Sequence, residues 1–351
     1  MPDTHRAPDT HRAPDTTILV TGATGLVGST LTRQLVRDGA DVRIFHRPSS
    51  SMDLLGPVAD RVDRAEGDLR DARSVLRAME GVDRVYHAAA RVQFGTADRD
   101  ALRAVNVDGT GHVMDAARRA GVDRVVHTSS MAAFGRPLHT TDPIDEETPW
   151  RDAPHRSDYA TSKYDSELEV HRAIAEGLDA VIVNPALVFG VGRPGEGTRR
   201  IVDAVRRQQV PGAPPGGTSV CDVEDVAMGM QRAMAEGATG RRYFLGSENL
   251  SWKTILATLA GAFGVPAPRR TLPAALLQTG AVLAEAFAFL TRTDPVFSRS
   301  LARTAIHTFR YDNQRAREEL DCRFRPFEAT AHRIAGRIAN APGRTRGRAD
   351  W

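Results

Sequence analysis

Tyr159 and Lys163 stand four residues apart. On a helix that spacing puts both side chains on one face. A free phenol titrates near about pH 10 and is a poor acid or base at neutral pH. A neighbouring ammonium stabilises the phenolate and brings the phenol toward the working range. Only two of the chain's 47 Lys and Arg residues are lysines, Lys163 and Lys253. A lysine placed four after a tyrosine is therefore informative, although an ordinary pair on a helix surface would look the same. Upstream, Thr128-Ser129-Ser130 closes an apolar run at Arg124-Val-Val-His127. A hydroxyl at such a strand end can orient a substrate oxygen while its charge changes. It can equally do no more than satisfy backbone groups there.

The second chemical signal is Thr21-Gly22-Ala-Thr24-Gly25-Leu26-Val27-Gly28, directly after the apolar run Thr17-Ile-Leu-Val20. Glycines between a strand and a helix allow a tight turn, close approach to a pyrophosphate, and packing of helix on sheet. The helix N-terminus then offers free N–H groups to phosphate. The plain alternative is a strand-to-helix turn and nothing more.

These residues need a frame. After Gly28, Leu31 and Leu35 mark a helix ending at Gly39, and residues 42–45 and 61–66 read as strands. Asp71 caps a helix running to about Met79, and Gly81 ends it. Strands follow at 84–87, 124–127 and 180–183, with helices over 98–120 and 157–176. Such alternation predicts an α/β fold, a Rossmann-type doubly wound parallel sheet. In that fold ligands gather at the carboxyl ends of the strands. Past Pro185 the character changes. Glycine- and proline-rich loops at 190–197 and 210–217, helices near 201–208, 222–235 and 252–263, and a strand at 242–245 read as a smaller C-terminal substrate-binding part. The organisation expected is a repeat tail over 1–16, a dinucleotide-binding part over 17–185, an interleaved substrate part over 186–340 and a frayed tail over 341–351.

Thr-Gly-x-x-Gly-x-x-Gly with Tyr-x-x-x-Lys resembles the extended short-chain dehydrogenases/reductases, the NAD-dependent epimerase/dehydratase family. The resemblance runs from Thr17 to about Phe327. It implies that Gly22, Thr24, Gly25, Leu26, Val27 and Gly28 hold the pyrophosphate turn, and that Asp68 and Leu69 meet the adenine. It implies that Ala88, Ala89 and Ala90 run against the cofactor, Ser129 lies near it, and Pro185 to Val188 pack on the nicotinamide. Ser130, Tyr159 and Lys163 fall in the catalytic places, Tyr159 and Lys163 also meeting the cofactor, the lysine at the nicotinamide ribose. Asn106, in Asn106-Val-Asp-Gly-Thr110, supports the arrangement. Val220, Asp222 and Asp225 read as structural.

Cofactor and substrate type are read from what is present and missing. The second strand ends Phe45-His46-Arg47-Pro48, with no carboxylate to bond a ribose 2′-hydroxyl. That favours NADPH, with Arg47 near the 2′-phosphate and NAD the alternative. Ser129-Ser130-Met131 lacks the Asp-Glu pair of nucleotide-sugar dehydratases. Among the branches, the dihydroflavonol reductase/3β-hydroxysteroid dehydrogenase group acts on bulky apolar alcohols and ketones. Residues 181–185 and 245–250 look most like the hopanoid-associated sugar epimerase-like group. Phe94, Phe134 and Phe189, with the apolar run 272–290, suggest a hydrophobic ketone or alcohol substrate, although they could simply fill a core. The leading expectation is an NADPH-dependent ketone reductase or alcohol dehydrogenase. A nucleotide-sugar epimerase with tightly held NAD and a non-catalytic dinucleotide sensor are the alternatives.

Composition bounds the rest. The chain has 351 residues, 41% of them hydrophobic and 26% charged, with a net charge of +3. These values exclude disordered, collagen-like and polytopic membrane classes. No clustered basic stripe points to nucleic acid. Cys221 and Cys322, far apart, fit neither a disulfide framework nor a zinc site, and no metal is expected; a reducing, cytoplasmic setting fits. His5 and His11 lie in the repeat tail and read as solvated. Pro273, Gly280 and Glu285 argue for a buried or lid helix over 272–290, with peripheral membrane contact the lesser reading. The resemblance also implies a homodimer paired through helices 98–120 and 157–176.

Overall fold

The computed structural model describes residues 16–92, 99–136, 142–151, 157–280 and 305–340. Its main sheet has seven strands in the order β3-β2-β1-β4-β5-β6-β9. They are β1 (Thr17–Thr21), β2 (Asp41–His46), β3 (Asp63–Glu66), β4 (Arg84–His87), β5 (Arg124–Thr128), β6 (Ala180–Pro185) and β9 (Arg242–Leu245). Every pairing is parallel, and Thr21 sits between Phe45 on one side and His87 on the other. The strand order reverses beside β1, so the crevice for a ligand opens at its carboxyl end. The fold is the Rossmann-type one expected.

Both faces of the sheet are covered, which is why its strands are continuous apolar runs rather than alternating ones. Leu19 points into one core, with Val75, Val113, Met114 and Val170. Its neighbours Ile18 and Val20 point into the other, with Leu31, Leu35, Val226 and Met230. Helices α2 (Ala72–Ala78), α4 (Gly109–Ala120) and α5 (Asp158–Ala175) cover the first face, and α1 (Leu26–Arg37) and α7 (Val223–Glu236) the second. Asp71 caps α2 by accepting from the Arg73 amide, as its position in the sequence suggested.

Differences from expectation lie mostly beyond residue 185. Three short strands, β7 (Leu187–Phe189), β8 (Gly217–Asp222) and β10 (Glu248–Ser251), form a second sheet. Strand β8 is buried throughout, so it shows no alternation to read. It starts on Gly217 because a Cβ there would lie 2.7 Å from the Leu250 carbonyl. Helices α6 (Gly197–Arg206), α8 (Trp252–Ala262), α9 (Gln314–Glu319) and α10 (Phe327–Ala339) complete this part. A third core joins Phe189, Val220, Trp252, Leu259, Phe327 and Ile334. The single helix expected over 98–120 is α3 (Arg99–Arg103), a π-helical turn (Ala104–Asp108) and α4. Residues 274–280 are helical; residues 281–290, residues 1–15 and 341–351 of the two tails, and Phe94 lie outside the described residues. No helix among the described residues is long and apolar enough to cross a membrane.

Candidate functional site

The glycine turn shows why only glycine serves there. Gly22 has φ of +72°, and a Cβ on it would lie 2.6 Å from the Ala89 amide nitrogen. A Cβ on Gly28 would lie 2.2 Å from the Gly22 carbonyl oxygen. Gly25 donates to that carbonyl at 2.9 Å and stands at the start of α1. No side chain caps this helix, so its first-turn N–H groups are left for an anion. The donor set and the positive end of the helix fit the pyrophosphate of a dinucleotide.

Other expected cofactor residues lie along the same edge. Arg47, exposed, follows β2, and its charge reaches Asp68 after β3. Arg70 binds both Asp68 oxygens, at 2.9 and 2.7 Å, and holds that carboxyl below its usual range. An adenine amine would share the carboxylate with Arg70. Leu69 is buried against Gly109. Ala88, Ala89 and Ala90 follow β4, Pro185 ends β6, and Val188 lies in β7 beside Cys221.

Ser130, Tyr159 and Lys163 meet at the ends of β5 and α5. Ser157 caps α5 by accepting from the Ala160 amide at 3.1 Å, which fixes where the helix begins. Ser130 accepts from the Ala132 amide at 3.2 Å and hydrogen-bonds the Tyr159 phenol. Lys163 is buried and donates from Nζ to the Thr128 carbonyl at 2.8 Å. Burial pushes the Tyr159 phenol up, and the hydrogen bond with Ser130 pulls the other way. Burial lowers the Lys163 ammonium to about 8, and the Glu167 carboxylate partly opposes this.

Asn106 acts through the backbone. Its Oδ1 accepts from the Arg91 amide at 2.7 Å, and its Nδ2 donates to the Arg91 carbonyl at 3.0 Å and to Ser162 Oγ at 2.9 Å. Ser162 Oγ donates to the Tyr159 carbonyl at 2.9 Å. The π turn places Asn106 there, and it clamps the segment after β4 onto α5. By this geometry Asn106 is a positioning residue.

Several participants escaped sequence reasoning. Asn184 Nδ2 donates to the Ser130 carbonyl at 3.1 Å and to Glu167 Oε1 at 2.6 Å. Glu167, buried one helical turn past Lys163, also faces Ser129, and Arg242 Nη1 lies 3.4 Å from its other oxygen. Burial pushes its carboxyl up. His87 and His127, fully buried at matched positions of β4 and β5, have ring centres 5.2 Å apart. The available signal was polarity out of place: Asn184 and both histidines sit in strands that otherwise read as apolar, and Glu167 continues the spacing of Tyr159 and Lys163.

An α/β sheet with an anion-binding glycine turn and a buried Tyr–Lys pair on its ligand edge defines the class of nicotinamide-dinucleotide enzymes. The sequence matches the NAD dependent epimerase/dehydratase family over residues 18–246, and the chain belongs to that family. It is an NAD(P)-dependent oxidoreductase of the extended short-chain dehydrogenase/reductase type. It is 40% identical over 313 residues to "Sterol demethylase protein B" of Methylococcus capsulatus, covering 87% of this chain and 92% of the relative. It is 34% identical over 314 residues to a "Putative dihydroflavonol 4-reductase" of Synechocystis sp., covering 86% and 88%. Among solved structures, that of gox2253 superposes with a TM-score of 0.79 at 30% identity, covering 93% of this chain and 99% of the other.

Proposed function

We propose that this oxidoreductase reduces a carbonyl on a bulky apolar substrate with NADPH, or oxidises the matching alcohol. The observation that carries the reading is the Ser130–Tyr159 hydrogen bond beside buried Lys163, at the strand ends where the glycine turn opens. Burial keeps the Tyr159 phenol protonated at neutral pH, the form a proton donor needs in the reductive direction. When bound, the dinucleotide supplies the hydride, which goes to the carbonyl carbon. Tyr159 gives its proton to the carbonyl oxygen, Ser130 orients that oxygen, and solvent returns the proton to the phenolate. Lys163, an ammonium below about pH 8, is the cation beside the nicotinamide ribose.

Gly22, Thr24, Gly25, Leu26, Val27 and Gly28 would hold the pyrophosphate. Arg47, Asp68 and Leu69 would meet the adenosine half, and Ala88, Ala89, Ala90, Ser129, Pro185 and Val188 the nicotinamide half. Residues 17–185 would serve mainly the cofactor and 186–340 mainly the substrate. The absence of an acid at the end of β2 supports NADPH. The relatives named for sterol demethylation and dihydroflavonol reduction support a large apolar ketone or alcohol. A cytoplasmic homodimer paired through α4 and α5 completes the reading.

The test is to denature the purified protein, identify any retained nucleotide by mass spectrometry, and titrate the same preparation with NADPH and NADH. Nucleotide-free protein that binds NADPH more tightly, and then turns over sterol- or flavonoid-sized ketones, is the expected result. Stoichiometric retained NAD overturns it in favour of a sugar epimerase.

A further inference from the structure

Arg193 reaches back from the loop between β7 and α6 to the dinucleotide edge. Its Nη2 donates to the Thr24 carbonyl, inside the glycine turn, and to the Ser51 carbonyl, in the loop after β2, both at 2.8 Å. The loop that carries it packs on the same turn: a Cβ on Gly190 would lie 3.0 Å from Leu26 Cδ1. One guanidinium thus spans the two loops between which the ribose 2′ position of a bound dinucleotide must fall. Its donor set is not filled. Nε is enclosed and meets no acceptor among the described residues, and the nearest carboxylate oxygen, from exposed Glu196, is 3.7 Å from Nη1. Asp68, after β3, is already held by Arg70. An anion arriving at the Nη1 edge, beside the Thr24–Ser51 bridge, would meet a guanidinium suited to phosphate oxygens.

We infer that Arg193 is a specificity-determining residue that takes the 2′-phosphate of an NADP-type dinucleotide. It does so from the C-terminal part of the chain, together with Arg47 at the end of β2. The inference rests on the NADPH reading above. It also explains why the sequence near β2 carries so weak a signal for the phosphate: much of the recognition comes from a residue almost 150 positions later in the chain.

The experiment is fluorescence titration of the full chain with NADPH and with NADH, in the wild type, Arg193→Leu and Arg47→Leu. Losing one charge-assisted contact should weaken NADPH roughly 10- to 100-fold in Arg193→Leu. NADH should change by less than about threefold, and its retained binding shows an intact fold. Should the leucine variant not fold, Arg193→Gln keeps a donor for the two carbonyls without the charge, and the same selective loss is expected. Equal weakening of both dinucleotides overturns the inference, because the residue then acts on the shared pyrophosphate or only as a latch. Unchanged NADPH binding overturns it as well. A wild type that prefers NADH overturns the NADPH reading itself. A wild-type preference that survives Arg193→Leu overturns only the role of Arg193.

Discussion

The two ends of the ligand edge are made of different material. Beside β1 and β4 the surface is backbone: glycines without room for a Cβ, free first-turn amides and three consecutive alanines. Beside β5 and β6 it is a web of buried side chains, in which Asn184 ties the Ser130 carbonyl to Glu167 and Lys163 ties α5 to Thr128. The first region needs closeness, and any added atom harms it. The second needs particular polar atoms in particular protonation states, and an isosteric change can harm it while every contact distance stays the same.

The largest expected effect falls in the second region. Tyr159→Phe removes the proton donor and leaves the ring, so kcat for carbonyl reduction should fall about 10²- to 10⁴-fold. Dinucleotide affinity measured by titration should stay within about threefold, because the backbone region is untouched. Unchanged turnover would break the contrast, since the web would then hold shape rather than carry chemistry. Next comes Gly28→Ala in the first region. Its Cβ would fall 2.2 Å from the Gly22 carbonyl oxygen, and the atoms nearest to it are all backbone of Gly22 and Ala23, with no flexible side chain to give way. The variant should lose roughly 2 kcal/mol or more of stability and bind both dinucleotides poorly. Thermal unfolding and titration read the two losses, and full retention of both would show that the turn can open.

The same contrast explains what was legible in the sequence. The backbone region is contiguous, so Gly22, Gly25 and Gly28 announce it within one turn of chain, and the parallel sheet follows from its apolar runs. Tyr159 and Lys163 are legible because helical spacing is local. Glu167 and Asn184 belong to different elements, and their hydrogen bond exists only after β6 has packed beside α5. The small sheet was illegible for another reason: β7 and β10 are very short, and β8, though buried throughout, reads Gly-Thr-Ser-Val-Cys-Asp rather than as an apolar run. Spacing shows only part of Lys163. It places the ammonium on the face of Tyr159, while the Thr128 carbonyl that Nζ bonds comes from a strand more than 30 residues earlier.

Glu167→Gln sharpens the electrostatic side of the comparison. Lys163 carries its charge below about pH 8, so the rate of reduction should decline as pH rises through that value. The Glu167 carboxylate is what partly opposes the burial effect on this ammonium. Glutamine keeps an acceptor for Asn184 Nδ2 but removes that charge, so the Lys163 ammonium should titrate lower. The alkaline limb of the kcat profile should then move toward acid pH, with little change in cofactor affinity. A limb that stays in place would show that Glu167 remains protonated in the folded chain.

The smallest expected effect lies where the two regions join, through a buried histidine. Thr110 Oγ1 lies 2.6 Å from the Asn106 carbonyl, which can only accept, so the hydroxyl donates there. His87 Nε2, 3.0 Å from the same oxygen, must therefore bring the hydrogen. That leaves Nδ1 bare to accept from Thr21 Oγ1 at 2.7 Å, while Thr21 Oγ1 accepts from the Ala89 amide at 3.3 Å. Burial lowers the imidazole to about 3, so it is neutral at working pH and this tautomer is the only one the chain of bonds permits. Through it, the backbone of the alanine segment is linked to the carbonyl of the residue that clamps α5. Thr110→Val keeps the volume but strands the Nε2–H without an acceptor, which should cost about 1–3 kcal/mol of stability. Because neither end of the edge loses its own contacts, kcat and cofactor affinity should each change by no more than about threefold. Nitrogen NMR of the wild type should find His87 protonated at Nε2 and bare at Nδ1. The opposite tautomer would mean that Thr110 does not donate to Asn106, and that the two regions are held independently.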